Sequence, residues 1–276
     1  MTLDLDDRQR AMLQEMGVRV WLPTAEPVQV PATVAAAATP YPAPAPAPAV
    51  APRVAPPSAA AAPAPTQAPA AVVLQGEDAV ALRAAAASCV ACGLCAGRKH
   101  TTLHMADAPV QTDWLVLGDP PDADEDRLGQ PFVEQTGVLL DNMLKAVGVS
   151  RTGQGRQGAH LSNVVKCRPP VGRLPQAADL AQCAPFLLRE MEWVQPKLIL
   201  AMGRFATQWA LQEHPQEAAL PLDKQRGRVY RYRGIPVVVT YHPTALLRTT
   251  ANKAKAWADL CLAMDVLEPI RSARVG

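Results

Sequence analysis

From residue 76 onward, short apolar runs alternate with longer segments whose apolar positions recur at helical spacing. Trp114–Leu117, His160–Val165 and Lys197–Met202 read as strands, and Val229–Tyr232 and Ile235–Thr240 read as a strand pair. Val138–Val147, Ala177–Trp193 and Arg204–Gln212 read as helices between them, and Asn252–Leu267 as a closing helix. Ala79–Ala87 is helical in composition and leads into a cysteine cluster. Strands alternating with helices of this length predict an α/β domain with a mainly parallel sheet covered on both faces.

The pattern upstream is different. Asp6 or Asp7 is placed to cap a helix running through Met16, with Met12, Leu13 and Met16 on one side and Gly17 at its end. Residues 1–22 therefore read either as an isolated marginal segment or as a docking motif for a protein partner. Half of the 28 prolines fall between Pro23 and Pro69, a stretch with only two charges, Glu26 and Arg53. Such a tract cannot bury a core. Residues 23–75 read as a disordered tether, and in the polyproline II form, at about 3.1 Å per residue, it would reach on the order of 100 Å. Residues 76–276 remain as one globular domain.

The net charge is +2, so any nucleic-acid contact has to come from a local patch. No apolar run of transmembrane length occurs, and the acidic start lacks the order of a signal peptide. The expectation is a cytoplasmic, monomeric protein whose six cysteines are reduced and available to metal or chemistry. Cys89, Cys92 and Cys95 lie in SCVACGLC, and Cys167 and Cys183 form a second pair. Spacing alone leaves four-cysteine zinc, a [4Fe–4S] cluster and plain structural thiols open. Cys261 sits in an apolar helix as a buried thiol.

Three strand ends carry candidate chemistry. The Gly118–Asp126 segment is acidic, and a carboxylate beyond a strand end can position water or be a solvated loop. Phe132 follows in a Gly/Pro loop, as a packing residue or a stacking surface. Asn163 offers donor and acceptor to a planar amide edge, the requirement for reading a base, or forms a turn. Lys166, Arg168 and Arg173 add positive charge beside it. His242, Thr244 and Arg248 lie in YHPTALLR, which suits a loop approaching a phosphodiester backbone. Lys224, Arg226, Arg228, Arg231 and Arg233 form a basic strip interleaved with Tyr230 and Tyr232, a DNA contact or a solvated edge strand.

In order along the chain, CVAC, GDPPDADEDRLGQPFVEQTGVLLDNML, NVVKCRPPVGRLP, QCAPFLL, LILAMGRFA, KQRG and HPTALLR resemble the family 4 uracil-DNA glycosylases, the iron–sulfur branch of their superfamily. The resemblance spans about Ser88 to Leu267. It implies a three-layer fold with a central parallel four-stranded sheet, and a [4Fe–4S] cluster on Cys89, Cys92, Cys167 and Cys183. It also implies a uracil-stacking aromatic at Phe132, a base-reading amide at Asn163, the motif histidine at His242, and intercalating apolar residues on or near Leu246 and Leu247. The family's first motif usually has Glu where this chain has Asp119, a small residue where it has Pro120, and Gly where it has Asp122. Its usual Gly after Pro-Phe-Val is Glu134, and its usual Asn before Arg173 is Gly172.

The resemblance implies an enzyme of base excision repair. It would flip uracil out of DNA and hydrolyse the N-glycosidic bond, with Asp119 and His242 catalytic. Phosphate contacts would come from Lys166, Arg226, Thr244 and Arg248. The changes at Pro120, Asp122 and Glu134 support the alternative, a non-catalytic iron–sulfur DNA-binding module with a decayed pocket.

Overall fold

A computed structural model describes residues 78–272. The docking-motif and tether readings for residues 1–22 and 23–75 fall outside that range. The first helix, α1 (Ala79–Ser88), is capped by Asp78, whose Oδ1 accepts from Ala81 N at 2.6 Å. A 3₁₀ turn over Gly93–Gly97 follows it.

Four parallel strands form the heart of the sheet: β1 (Thr112–Gly118), β2 (Gly155–Asn163), β3 (Leu198–Met202) and β5 (Ile235–Thr240). The four-stranded expectation needs correcting, because β4 (Val229–Tyr232) pairs antiparallel with β5. The order is β2-β1-β3-β5-β4. The connecting turn, Arg233-Gly234, has positive φ at both residues (49° and 80°), the geometry that matches strand twist in a two-residue hairpin.

Side chains alternate across the sheet and build two cores. Leu115, Leu117, Ile199, Ala201, Val237 and Val239 pack against α1, α4 (Ala177–Val194) and α5 (Arg204–Ala210). Trp114, Val116, Leu198, Leu200 and Val238 pack against α3 (Glu134–Ala146) and α9 (Lys253–Ser272). Both sheet faces are thus covered, which is why β1 and β3 are buried throughout. Three short helices complete the chain: α2 (Ala123–Leu128), α6 (Pro215–Ala218) and α7 (Leu222–Gln225). A fourth, α8 (Pro243–Arg248), follows β5.

Parallel register brings Gly118 beside Asn163 and Met202 beside Thr240. The carboxyl ends of β1, β2, β3 and β5 therefore share one edge. β1 is followed in sequence by β2 on one side and neighbours β3 on the other, which makes this edge the switch point where α/β sheets hold ligands.

Candidate active site

Asp119 leaves β1 and turns its carboxylate onto the start of α5. Oδ1 accepts from Phe205 N (2.7 Å) and Ala206 N (3.1 Å), and Oδ2 from Arg204 N (3.3 Å). These are donors a helix cannot satisfy internally. The turn closes tightly: a Cβ on Gly203 (φ 99°) would lie 2.2 Å from Asp119 Oδ2. Burial raises the Asp119 pKa to about 6, against the pull of the three N–H groups and Arg204.

The acidic run that follows is not a solvated loop. Asp122 caps α2, accepting from Asp124 N and Glu125 N at 2.9 Å, while Glu125 Oε2 accepts from Asp122 N at 2.9 Å. The Asp-x-x-Glu spacing of this reciprocal cap was the available sequence signal for Glu125, which the reading of the segment as generally acidic missed. Glu125 Oε1 also accepts from Phe132 N (2.5 Å) and from Asn163 Nδ2 (3.3 Å). Burial pushes its pKa up to about 7.

Phe132 is fully buried, with φ at 52°. Its ring lies over Gly118, where a Cβ would come within 2.5 Å of Cζ. It stacks on His242 with centroids 5.4 Å apart and planes 25° apart. Asn163 Nδ2 is committed to Asp119 O (2.9 Å) and Glu125, so its amide orientation is set, and Oδ1 is buried without a partner. His242 caps α8. Its Nδ1 accepts from Thr244 N (3.4 Å) and lies 3.1 Å from Thr244 Oγ1. A proton-free Nδ1 puts the ring proton on Nε2, which is buried and unpartnered. Burial lowers the His242 pKa to about 4, so the ring is neutral at pH 7. A cavity of about 420 Å³ opens here, lined by Asp119, Pro120, Asp122, His242, Thr244 and Arg248 among others.

The sequence model of the uracil DNA glycosylase superfamily matches residues 105–261. The chain belongs to that superfamily. It is 36% identical over 152 residues to the Type-4 uracil-DNA glycosylase of Pyrobaculum aerophilum, covering 54% of this chain and 74% of that protein. It is 32% identical over 187 residues to the Type-4 uracil-DNA glycosylase of Thermotoga maritima, covering 67% of this chain and 88% of that protein.

Within this glycosylase-superfamily fold, several DNA-facing expectations need correction. Lys166 is 1% exposed and bonded to Glu190, Ser162 Oγ (2.5 Å) and Asn163 O (2.9 Å). Its ammonium holds the end of β2 and cannot reach a phosphate. Arg226 is 9% exposed at its side chain, paired with Asp259 (2.7 Å) and lying 4.6 Å over the Tyr241 ring. Leu246 is buried in the α3–α9 core. Leu247 and Arg248 are exposed, and Thr244 is half-buried at the cavity. Antiparallel pairing sets Val229 opposite Val238 and Tyr232 opposite Ile235, so Arg231 and Arg233 lie toward the amino end of β5, away from the cavity.

Two departures from the glycosylase motif have structural partners. Glu134 takes a left-handed position (φ 51°), the reason a glycine suits it, and pairs with Arg127 at 3.0 Å. Asp122 is the α2 cap already described.

The cysteines fall into separate groups. Cys89, Cys92, Cys167 and Cys183 pack with the first core, and Cys261 packs with the second. Arg98, unnoticed in the sequence, donates to Cys167 Sγ (3.2 Å) and to Cys89 O (2.9 Å), tying the end of α1 to the loop after β2. Lys166 N donates to Cys183 Sγ at 3.3 Å. Burial raises the thiol pKa of Cys183 to about 12. Among the described residues, no group of three or more His, Cys, Asp or Glu side chains is arranged to hold a metal ion.

Proposed function

We propose that this protein excises uracil from DNA, hydrolysing the N-glycosidic bond of a flipped nucleotide in the cavity at the sheet's carboxyl edge. The observation that carries the reading is a pair of buried atoms without partners, Asn163 Oδ1 and His242 Nε2. Buried polar groups are rarely left unsatisfied; His242 lines the cavity, Asn163 is fully buried beside Asp119 and Glu125, which also line it, and a ligand with one donor and one acceptor would satisfy both atoms. Uracil offers N3–H and carbonyl oxygens on one planar edge. Asn163 Oδ1 accepts N3–H, whereas cytosine presents an acceptor at that position and is disfavoured. Glu125 enforces this by holding Nδ2.

His242 Nε2–H donates to the uracil O2 as negative charge develops there, a preorganised dipole aimed at the developing charge. Its neutrality suits it to donate without taking up a proton. Asp119 is fixed by three backbone N–H groups and supplies negative charge near the sugar, where positive charge grows as the bond breaks. Phe132 stacks on the base, which requires His242 to give up the ring face it covers in this state. Leu247 and Arg248 beside the cavity engage the DNA strand and its phosphates.

Cys89, Cys92, Cys167 and Cys183, the cysteines packed with the first core, would hold a [4Fe–4S] cluster. A single zinc ion needs its thiolates gathered around one point at about 2.3 Å, and among the described residues no group of three or more side chains is arranged to hold a metal ion. The N–H donors from Arg98 and Lys166 are the hydrogen bonds that cluster thiolates accept. A cluster held there would supply a structural cross-link between the end of α1, the loop after β2 and α4.

Incubation with a uracil-containing oligonucleotide, followed by alkaline cleavage of abasic sites, tests the assignment. Strand cleavage is expected with wild type and lost with Asn163→Ala. Binding without base release at enzyme excess would support the decayed-pocket alternative instead.

A further inference from the structure

We propose that Arg151, in the loop between α3 and β2, is a positioning residue that holds Phe132 in its base-stacking conformation. The proposal rests on the uracil-excision reading and adds to it a residue outside the pocket.

Phe132 has a bulky side chain at φ 52°, a backbone region such residues occupy only when their surroundings force it. The force comes from two sides. Glu125 Oε1 accepts from Phe132 N at 2.5 Å, and Arg151 Nη2 donates to Phe132 O at 3.2 Å. A carboxylate thus grips the amide and a guanidinium grips the carbonyl of one residue. Arg151 is itself aimed by Asp141 on α3, which accepts from its Nε at 2.6 Å, and Nη2 also reaches Gly137 O at 3.5 Å. Gly137 makes room for this: a Cβ there would lie 2.3 Å from Phe132 O. The guanidinium's planar fork serves an acid and two carbonyls at once, which a lysine ammonium does not reproduce. Without Arg151, Phe132 can relax toward an ordinary backbone conformation, and its ring moves off Gly118 and out of register with Asn163 and His242.

The test uses the full chain with Arg151→Lys and Arg151→Ala. Hydrogen exchange over residues 132–137 should speed up by about tenfold or more in both, while exchange in β1 and β3 is unchanged. A displacement of the ring by about 1 Å should lower kcat/KM for uracil release by roughly ten- to a hundredfold. Affinity for uracil-free DNA should stay within about twofold. Millimolar methylguanidinium should restore part of the activity of Arg151→Ala, and methylammonium should not. Unchanged exchange at 132–137 overturns the proposal, whether or not activity falls. If Arg151→Ala does not fold, Arg151→Lys decides by the same exchange measurement. If exchange responds as expected but wild type releases no uracil, the positioning role stands and the excision reading fails.

Discussion

Glu125→Gln separates a buried carboxylate's charge from its shape. In the folded protein the Glu125 carboxyl titrates at about 7, against an ordinary value of 4.5, chiefly because it is desolvated. The folded state therefore binds its proton more tightly than the unfolded state. The Glu125 contribution to stability thus grows as pH falls from 7 toward 4.5 and is lost as pH rises through 7. The difference corresponds to about 3 kcal/mol. The amide of the variant cannot titrate, so the stability of wild type relative to the variant should move in wild type's favour by about 3 kcal/mol between about pH 8 and about pH 4.5. Asp119 and His242 also titrate in this range but are present in both proteins and cancel. At high pH the two should be close. The variant turns an amide NH₂ toward at least one N–H donor, costing about 1–3 kcal/mol, but it removes a buried charge. Denaturant unfolding of both proteins across the pH series measures this. Function should follow the opposite limb. Ionised Glu125 accepts from Asp122 N, Phe132 N and Asn163 Nδ2, and protonation converts one of its oxygens into a donor. Wild-type kcat/KM should thus fall below about pH 7, and in Glu125→Gln the acid limb should move down to about 6, where Asp119 takes up its proton. A stability difference flat with pH, or an acid limb still near pH 7 in Glu125→Gln, would refute the reasoning.

Other expectations follow from the same geometry. His242→Ala should lower kcat on the order of a hundredfold with little change in DNA affinity, because it removes a transition-state donor; single-turnover kinetics separate the two. Lys166→Met should destabilise by about 3–5 kcal/mol by orphaning buried Glu190, and Lys166→Met with Glu190→Leu should recover much of that in thermal melts. Arg248→Gln should reduce the salt dependence of DNA binding by about one phosphate contact, whereas Arg231→Gln should leave it unchanged. Cys167→Ser should abolish the brown colour and iron content of anaerobically purified protein, and Cys261→Ser should leave both intact.

The strands and helices were legible in the chain because each is a local pattern. Trp114–Leu117 and Lys197–Met202 are apolar runs that only a sheet covered on both faces can bury, and the alternation of Val229–Tyr232 appears as buried tyrosines and exposed Val229 and Arg231. Asp119, Phe132, Asn163 and His242 could be named in advance because each follows a strand or lies in a quoted motif, and parallel register then delivered them to one edge. Charge was another matter. A lysine beside a cysteine motif and an arginine in a basic strip look alike in sequence whether they face phosphate or a carboxylate. The partners that decided them, Glu190 for Lys166 and Asp259 for Arg226, come from helices 24 and 33 residues away. Arg151 stayed hidden for the same reason: it bonds the backbone of Phe132, and a backbone partner leaves no signature in residue type. The capping spacing of Glu125 marked its place at the start of α2 but not its reach to Phe132 N and Asn163. Periodicity determined which stretches of the described residues form strands and helices. Only tertiary packing decided which charges are buried, because the cost of burying a charge depends on a partner brought by the fold.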